Sequence, residues 1–246
     1  MEKSYAQHYA LLEGKHWWFR ARRLILRDLL TRLEWPQRPK ILEIGVGPGY
    51  NLLEIYPPGC RLEGVEPDRA LASLAAARGP APVFNASIDE LPSEVRDASY
   101  DGVTMFDVLE HIPDDARALQ IANRKLKQGG RIILSVPAYM WLWGQQDTVN
   151  QHHRRYMLRE LKGKLQAANF SIERITYFNT FLFPPIATVR LIARYCRQPH
   201  NAEGDFAYVR QPSNTALFTV FGAERFLLRY LDFPFGVSVF AAARKQ

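Results

Sequence analysis

Cysteine is nearly absent: Cys60 and Cys196 are the only two in 246 residues, too far apart to suggest a metal cluster or a disulfide framework. That scarcity fits a reducing compartment, and the expected location is the cytoplasm. Long apolar runs are missing too. Uncharged stretches such as 175–189 and 211–223 fall short of the ~20 residues that a membrane-spanning helix needs. The opening MEKSYAQHYALLEGK has charges where a secretory leader needs an apolar run, so secretion is not expected. Internal repeats and low-complexity linkers are also lacking, which excludes solenoids and disordered tethers.

What is present is an ordinary globular composition, 47% apolar and 23% charged, in a chain long enough for one large domain or a domain with an embellishment. The net charge of +7 is unevenly spread. Residues 1–40 carry nine basic against four acidic side chains, residues 41–150 carry nine against fifteen, and the remainder is basic again. Basic arms around an acidic centre suit an anionic partner such as nucleic acid, a phosphorylated substrate or a lipid surface, or they simply solvate helices.

Short apolar runs stopped by turn residues predict strands over 40–44, 61–65, 82–85, 100–106 and 130–136. Helical stretches over 50–55, 68–78 and 114–126 alternate with them. Repeated strand–helix units imply a mainly parallel sheet with helices on both faces, with ligands bound beyond the carboxyl ends of the strands. A helix over 16–33 precedes this core, and a helix over 158–168 with a strand over 171–178 follows it. A last strand is expected over 237–243, after an insertion at 180–236 with helices over 186–197 and 216–230. The chain therefore divides into an N-terminal cap (1–38), a cofactor-binding core (39–179), a helical cap (180–236) and a final strand (237–246).

Three motifs carry chemistry. Gly45, Gly47 and Gly49 follow the first strand, where glycines permit a tight turn and a close approach to a ligand. Glu43 inside that strand would repel a dinucleotide pyrophosphate yet suits a ligand with a cationic amino acid moiety, and Pro48 removes an N–H a phosphate would want. Glu66 ends the second strand, 21 residues after Gly45, where a carboxylate can accept hydrogen bonds from both hydroxyls of a ribose. The run Phe106-Asp107-Val108-Leu109-Glu110-His111-Ile112-Pro113-Asp114 follows the fourth strand, at the expected chemical edge. There Asp114 suits a helix cap, and His111 is either a base or a structural group.

The ordered set ILEIGVGPG, GVEPD, SIDELP, FDVLEHIPD and LKQGGRIILSVP, over roughly 39–137, resembles class I S-adenosylmethionine-dependent methyltransferases, particularly the broad group containing ubiquinone-type O-methyltransferases. The resemblance implies a Rossmann-like seven-stranded sheet whose last strand is antiparallel. It also implies S-adenosylmethionine as cofactor and S-adenosylhomocysteine as product. Gly45, Gly47 and Gly49 would lie under the methionine part with Glu43 nearby, Glu66 would clasp the ribose, and Pro67 would pack near the adenine. Ser87 stands where the family often has an aspartate for the adenine amino group, with Ile88 beside it. Phe106 and Asp107 would line the cleft. An arginine of the N-terminal helix would reach the cofactor carboxylate; Arg23 is expected in that role, with Arg20 next.

Outside the core, the segment 15–23 with Trp18 and the segment 151–156 with His152, His153, Arg154, Arg155 and Tyr156 resemble parts of bacterial methyltransferases of glycan, lipid or natural-product pathways. Trp18, Arg154, Arg155 and Tyr156 are expected to bind the acceptor. His111 and His153 are the candidate bases, with His152 as a further one. The acceptor would be a small molecule, glycan or lipid-linked compound, methylated at a hydroxyl or amine. No acidic trio or His-x-Glu pattern near the fourth strand signals a metal, so metal-independent chemistry is expected. In the cap, Arg190, Arg194 and Arg197 share one helical face, which suits either a lid or a peripheral contact with an anionic membrane. Two other readings stand beside this one: a nucleic-acid-binding or RNA-modifying protein that uses the basic flanks, and a binding subunit that has lost catalysis.

Overall fold

Alternate residues of the central strands face opposite ways, and each face is apolar, so the sheet has to be covered on both sides. In the computed structural model, which describes residues 10–79, 81–195 and 211–246, the strands are β1 (Lys40–Ile44), β2 (Arg61–Val65), β3 (Val83–Phe84), β4 (Tyr100–Phe106), β5 (Leu126–Pro137), β6 (Phe170–Phe178) and β7 (Ser238–Lys245). They form one seven-stranded sheet in the order β3-β2-β1-β4-β5-β7-β6. The first five pair in parallel, and β7 runs antiparallel between β5 and β6. The order reverses between β1 and β4, which opens a crevice at their carboxyl ends.

The helices are α1 (Trp17–Leu30), α2 (Tyr50–Glu54), α3 (Arg69–Arg78), α4 (Asp115–Lys125), α5 (Gln145–Val149), α6 (Leu158–Ala167), α7 (Phe183–Tyr195) and α8 (Ser213–Leu227). On one face Leu119 and Ala122 of α4 and Leu161 and Leu165 of α6 pack against Val103, Ile132, Leu134 and Ala241. On the other, Ala21, Ile25 and Leu29 of α1 and Phe221 of α8 cover Ile133, Phe240 and Ala242. Ile133 and its neighbours Ile132 and Leu134 thus serve opposite cores. This is the α/β architecture, with a helical insertion between β6 and β7, that the sequence pattern and the family resemblance predict.

Several boundaries moved by a few residues, two of them for a visible reason. Helix α7 starts at Phe183 instead of Ile186, because Pro184 and Pro185 fall in its first turn, where a missing N–H leaves no helical bond unmade. Strand β5 starts at Leu126 instead of Gly130, and its pairing with β4 shifts register between Tyr100 and Gly102. Asp114 caps α4 by accepting the Arg117 N–H at 2.9 Å, which is its structural role.

Candidate functional site

The crevice is a cavity of about 1180 Å³ at the carboxyl ends of β1, β2 and β4. Gly45 and Gly47 line its floor. Gly45 adopts φ +74, and a Cβ there would lie 2.4 Å from the Val108 side chain, so the turn excludes any larger residue. Gly49 lies behind the loop instead: it caps α2 and abuts the Ala75 backbone, with no place in the cavity lining.

Glu66, at the end of β2, is almost fully buried and faces the cavity. Its Oε2 accepts the Gly47 N–H at 2.8 Å and its Oε1 the Asp68 N–H at 3.0 Å. Each oxygen keeps a second lone pair, and the backbone bonds hold the group in a fixed orientation. Burial raises its pKa, against the lowering effect of those two N–H groups. Pro67, Asp68, Leu71, Ala86, Ser87, Ile88 and Asp89 continue the wall beyond it.

Glu43 is placed differently from the expectation. It is buried behind the glycine loop, where Asn51 Nδ2 donates to Oε1 at 2.7 Å and the Tyr56 hydroxyl to Oε2 at 2.8 Å. It does not line the cavity, and burial pushes its carboxyl up to about 7. The carboxylate beside the loop is Glu13, which the sequence reading missed. It belongs to the helical residues 10–15 and lies 3.7 Å from where a Gly47 Cβ would be; burial also raises it to about 7.

The arginine expected at the cofactor carboxylate is turned away from the cavity. Arg23 points from the cavity to Glu54 Oε2 at 2.8 Å and to the Glu13 carbonyl at 3.0 Å, and Arg20 lies over the Phe218 ring. Arg22 is the one that lines the cavity, paired with the Asp107 carboxylate and stacked over Trp18 at 5.0 Å. Both arginines lie on the buried side of α1, so helical phase could not choose between them.

The far end of the cavity gathers Phe106, Asp107, Glu110, His111, Asp147, His152, Arg155 and Arg190. Asp107 has φ +55, a costly conformation for a residue with a Cβ, and is held there by Ser135, which accepts its N–H at 2.9 Å and donates its hydroxyl at 3.1 Å. Glu110 is fully buried, and burial, then the charge of Asp107, push its carboxyl well above the ordinary value. His111 lies edge-on to His152, with ring centroids 4.5 Å apart. Burial, then the proximity of His152, lower His111 to about 4. Glu110, His111 and His152 are of ligand type and lie together, a cluster the sequence reading did not find because 41 positions separate His111 from His152.

The segment 151–156 is divided by the structure. His152 and Arg155 turn inward to Asp147. His153 turns outward to solvent, and its N–H is bonded to the Glu110 carbonyl at 2.8 Å, so the candidate base of this segment is corrected to His152. Arg154 ion-pairs with Asp115 at 2.8 Å outside the cavity. Tyr156 is fully buried and donates to Asp115 at 2.9 Å, so it braces the core and does not reach an acceptor. Asp147, the anchor of the group, carried no sequence signal. The cap contributes Pro185, Ile186, Val189 and Leu217 to the cavity wall. Arg190 bonds the Leu142 carbonyl and lies 3.6 Å from Asp147, so it faces inward and does not form an outward basic face; the Arg194 side chain and Arg197 lie outside the described residues.

Comparison with known proteins gives the same fold. Residues 17–175 match the model of a family described as a methyltransferase domain. A probable S-adenosylmethionine-dependent methyltransferase of Mycolicibacterium smegmatis is 31% identical over 165 residues, covering 66% of this chain and 62% of that protein. A ubiquinone biosynthesis O-methyltransferase of Pseudomonas aeruginosa is 29% identical over 124 residues, 48% of this chain and 47% of that protein. The chain thus spans less than two thirds of the length of these relatives. Among solved structures, an S-adenosylmethionine-dependent methyltransferase from Mesorhizobium loti matches with a TM-score of 0.58 at 17% identity, over 89% of this chain and 95% of that one, a likeness of fold.

Proposed function

We propose, proceeding from the fact that the chain belongs to the methyltransferase-domain family, that it transfers a methyl group from S-adenosylmethionine to a hydroxyl or amine of a small-molecule, glycan or lipid-linked acceptor, releasing S-adenosylhomocysteine. The observation that carries this reading is the oriented Glu66 carboxylate on the same cavity wall as Gly45 and Gly47. The donor set fits the cofactor. Glu66 has lone pairs for both ribose hydroxyls, Glu13 suits an ammonium, Arg22 suits a carboxylate, and Pro67, Ser87 and Ile88 offer a flat, mostly apolar wall for a purine. When bound, S-adenosylmethionine supplies an electrophilic methyl group on a sulfonium.

The protein's share of the work is alignment, which for well-oriented reactants is worth ~7–11 kcal/mol. Phe106 and Asp107 would border the methyl-bearing end, and the cap residues Ile186 and Val189 also line the cavity. A hydroxyl acceptor needs a group to take its proton. His111 is neutral near pH 7 because it is held at about 4, so it can accept a hydrogen bond but is a weak base. The displacement at a sulfonium carbon itself needs no metal.

The basic flanks do not favour a nucleic-acid reading. Arg22, Arg23, Arg154 and Arg155 are committed to Asp107, Glu54, Asp115 and Asp147, which removes them from any outward anionic footprint. No helix among the described residues is long and apolar enough to cross a membrane. Leu191 and Ile192 are exposed on α7 and offer an apolar surface for a peripheral contact, with the chain acting at the cytoplasmic side.

Calorimetry with S-adenosylhomocysteine and with NAD tests the reading. We expect binding of the first alone, weakened about tenfold or more in Glu66→Ala as charge-assisted hydrogen bonds of ~1.5–3 kcal/mol are lost. Unchanged affinity in Glu66→Ala, or binding of NAD, would overturn it.

A further inference from the structure

We propose that Glu110, His111 and His152 form a binding site for one divalent transition-metal cation at the far end of the cavity. One donor atom from each residue lies within 4.8 Å of the other two, so a small closure of the side chains would bring all three to one ion.

Glu110 is the independent observation. Its side chain is fully buried and lines the cavity, and neither carboxylate oxygen has a hydrogen-bond partner among the described residues. A buried carboxylate left unmet on both oxygens is an expensive arrangement that calls for a missing partner. The guanidiniums nearby are not that partner. Arg22 is turned to Asp107, and Arg155 is bonded to Asp147 through Nε and Nη2, both at 2.8 Å.

His152 is held as a ligand is. Its Nδ1 lies 2.9 Å from Asp147 Oδ1, which fixes the ring and leaves Nε2 as the donor to an ion. A carboxylate behind a ligating imidazole sets its tautomer and raises its basicity. The His111 ring stands edge-on to it, with centroids 4.5 Å apart. The oriented His152 ring, the neighbouring His111 and the bare carboxylate leave three donors converging on one space.

The chemistry of the set selects the ion. Two imidazoles and one carboxylate suit zinc, iron(II), cobalt or nickel, whereas magnesium and calcium prefer oxygen donors. Three protein ligands leave positions open toward the cavity, as in catalytic sites and unlike closed structural ones. On the methyl-transfer reading above, an acceptor oxygen would complete the coordination and be polarised there; the cation site itself does not depend on that reading.

The test uses the full chain, stripped with a chelator and titrated with cobalt(II) at neutral pH, following the visible absorption bands. One equivalent should bind and be displaced by zinc(II). Glu110→Gln and His152→Ala should each weaken the affinity about tenfold or more, the range lost when a metal site is disturbed, while S-adenosylhomocysteine affinity changes less than about twofold. His152, unlike Glu110, is not fully enclosed, so its variant carries the test if Glu110→Gln does not fold. No stoichiometric cobalt binding by the wild type, or equal binding by the folded variants, would overturn the site. A wild type that binds cobalt but no S-adenosylhomocysteine would uphold the site and remove the methyl-transfer reading instead.

Discussion

Asp147 and Arg155 form a two-pronged pair, with Arg155 Nε donating to Oδ1 and Nη2 to Oδ2, each at 2.8 Å, and both side chains buried. Asp147 also accepts the Gly144 N–H at 2.7 Å and bonds His152, so one carboxylate ties α5, the following loop and the cavity wall together. Arg155 completes the tie by donating to the Ala138 carbonyl at 3.1 Å, just beyond β5.

Breaking that pair should cost more than any exposed ion pair in the chain. Asp147→Asn leaves the Arg155 charge buried without a counterpart and is expected to lose ~3–5 kcal/mol in urea denaturation. The hydrogen bonds and the Arg155 charge hold the Asp147 carboxyl well below its ordinary range, against the effect of burial. Its stabilisation is therefore complete above the unfolded pKa and is lost as pH falls through the folded value. The acid limb of the stability curve should be shallower in Asp147→Asn than in the wild type, and an unchanged limb would remove this role.

Arg22 and Arg23 should separate function from stability. Arg22→Ala removes the guanidinium that lines the cavity and should weaken S-adenosylhomocysteine binding ~10–100-fold, the size of one or two charge-assisted hydrogen bonds. Arg23→Ala strips Glu54 and the Glu13 carbonyl of their partner and should lower the melting temperature while changing affinity by less than about threefold. The reverse pattern would return the cofactor role to Arg23.

Glu43 should make the native state less stable as pH rises. Burial raises its carboxyl to about 7, so between the unfolded value near 4.5 and 7 the unfolded chain ionises first and gains relative to the folded one. Glu43→Gln removes that titration but keeps a group able to accept from Asn51. Relative to wild type, the variant should gain ~1–3 kcal/mol between pH 4.5 and pH 8 in chemical denaturation. A difference that stays flat across this window would show that Glu43 titrates normally.

The strands, the loop after β1 and the carboxylate that ends β2 were legible because each is local. Short apolar runs ended by glycine or proline mark strands wherever they lie, and the 21-residue step from Gly45 to Glu66 is set by one strand–helix–strand unit. The family resemblance added the antiparallel last strand. Residue-level roles in the segments around the core were not legible, because those segments meet the cavity only through tertiary packing.

Arg22 and Arg23 share one buried helix side, and only the docking of α1 beside Asp107 and Glu54 assigns each its partner. His152 and His153 are adjacent and chemically alike, and the pull of Asp147 decides which one enters. Glu43 reads as a ligand carboxylate until Asn51 and Tyr56 close over it. The amino-acid sequence by itself determined the sheet, its covering helices and the cofactor edge, since hydrophobic period and turn chemistry act over a few residues. Tertiary structure alone decided which of several neighbouring ionisable groups faces the cavity, because a buried charge goes where a partner waits, and that partner can be 5 positions away, as Asp147 is from His152, or 85, as Asp107 is from Arg22.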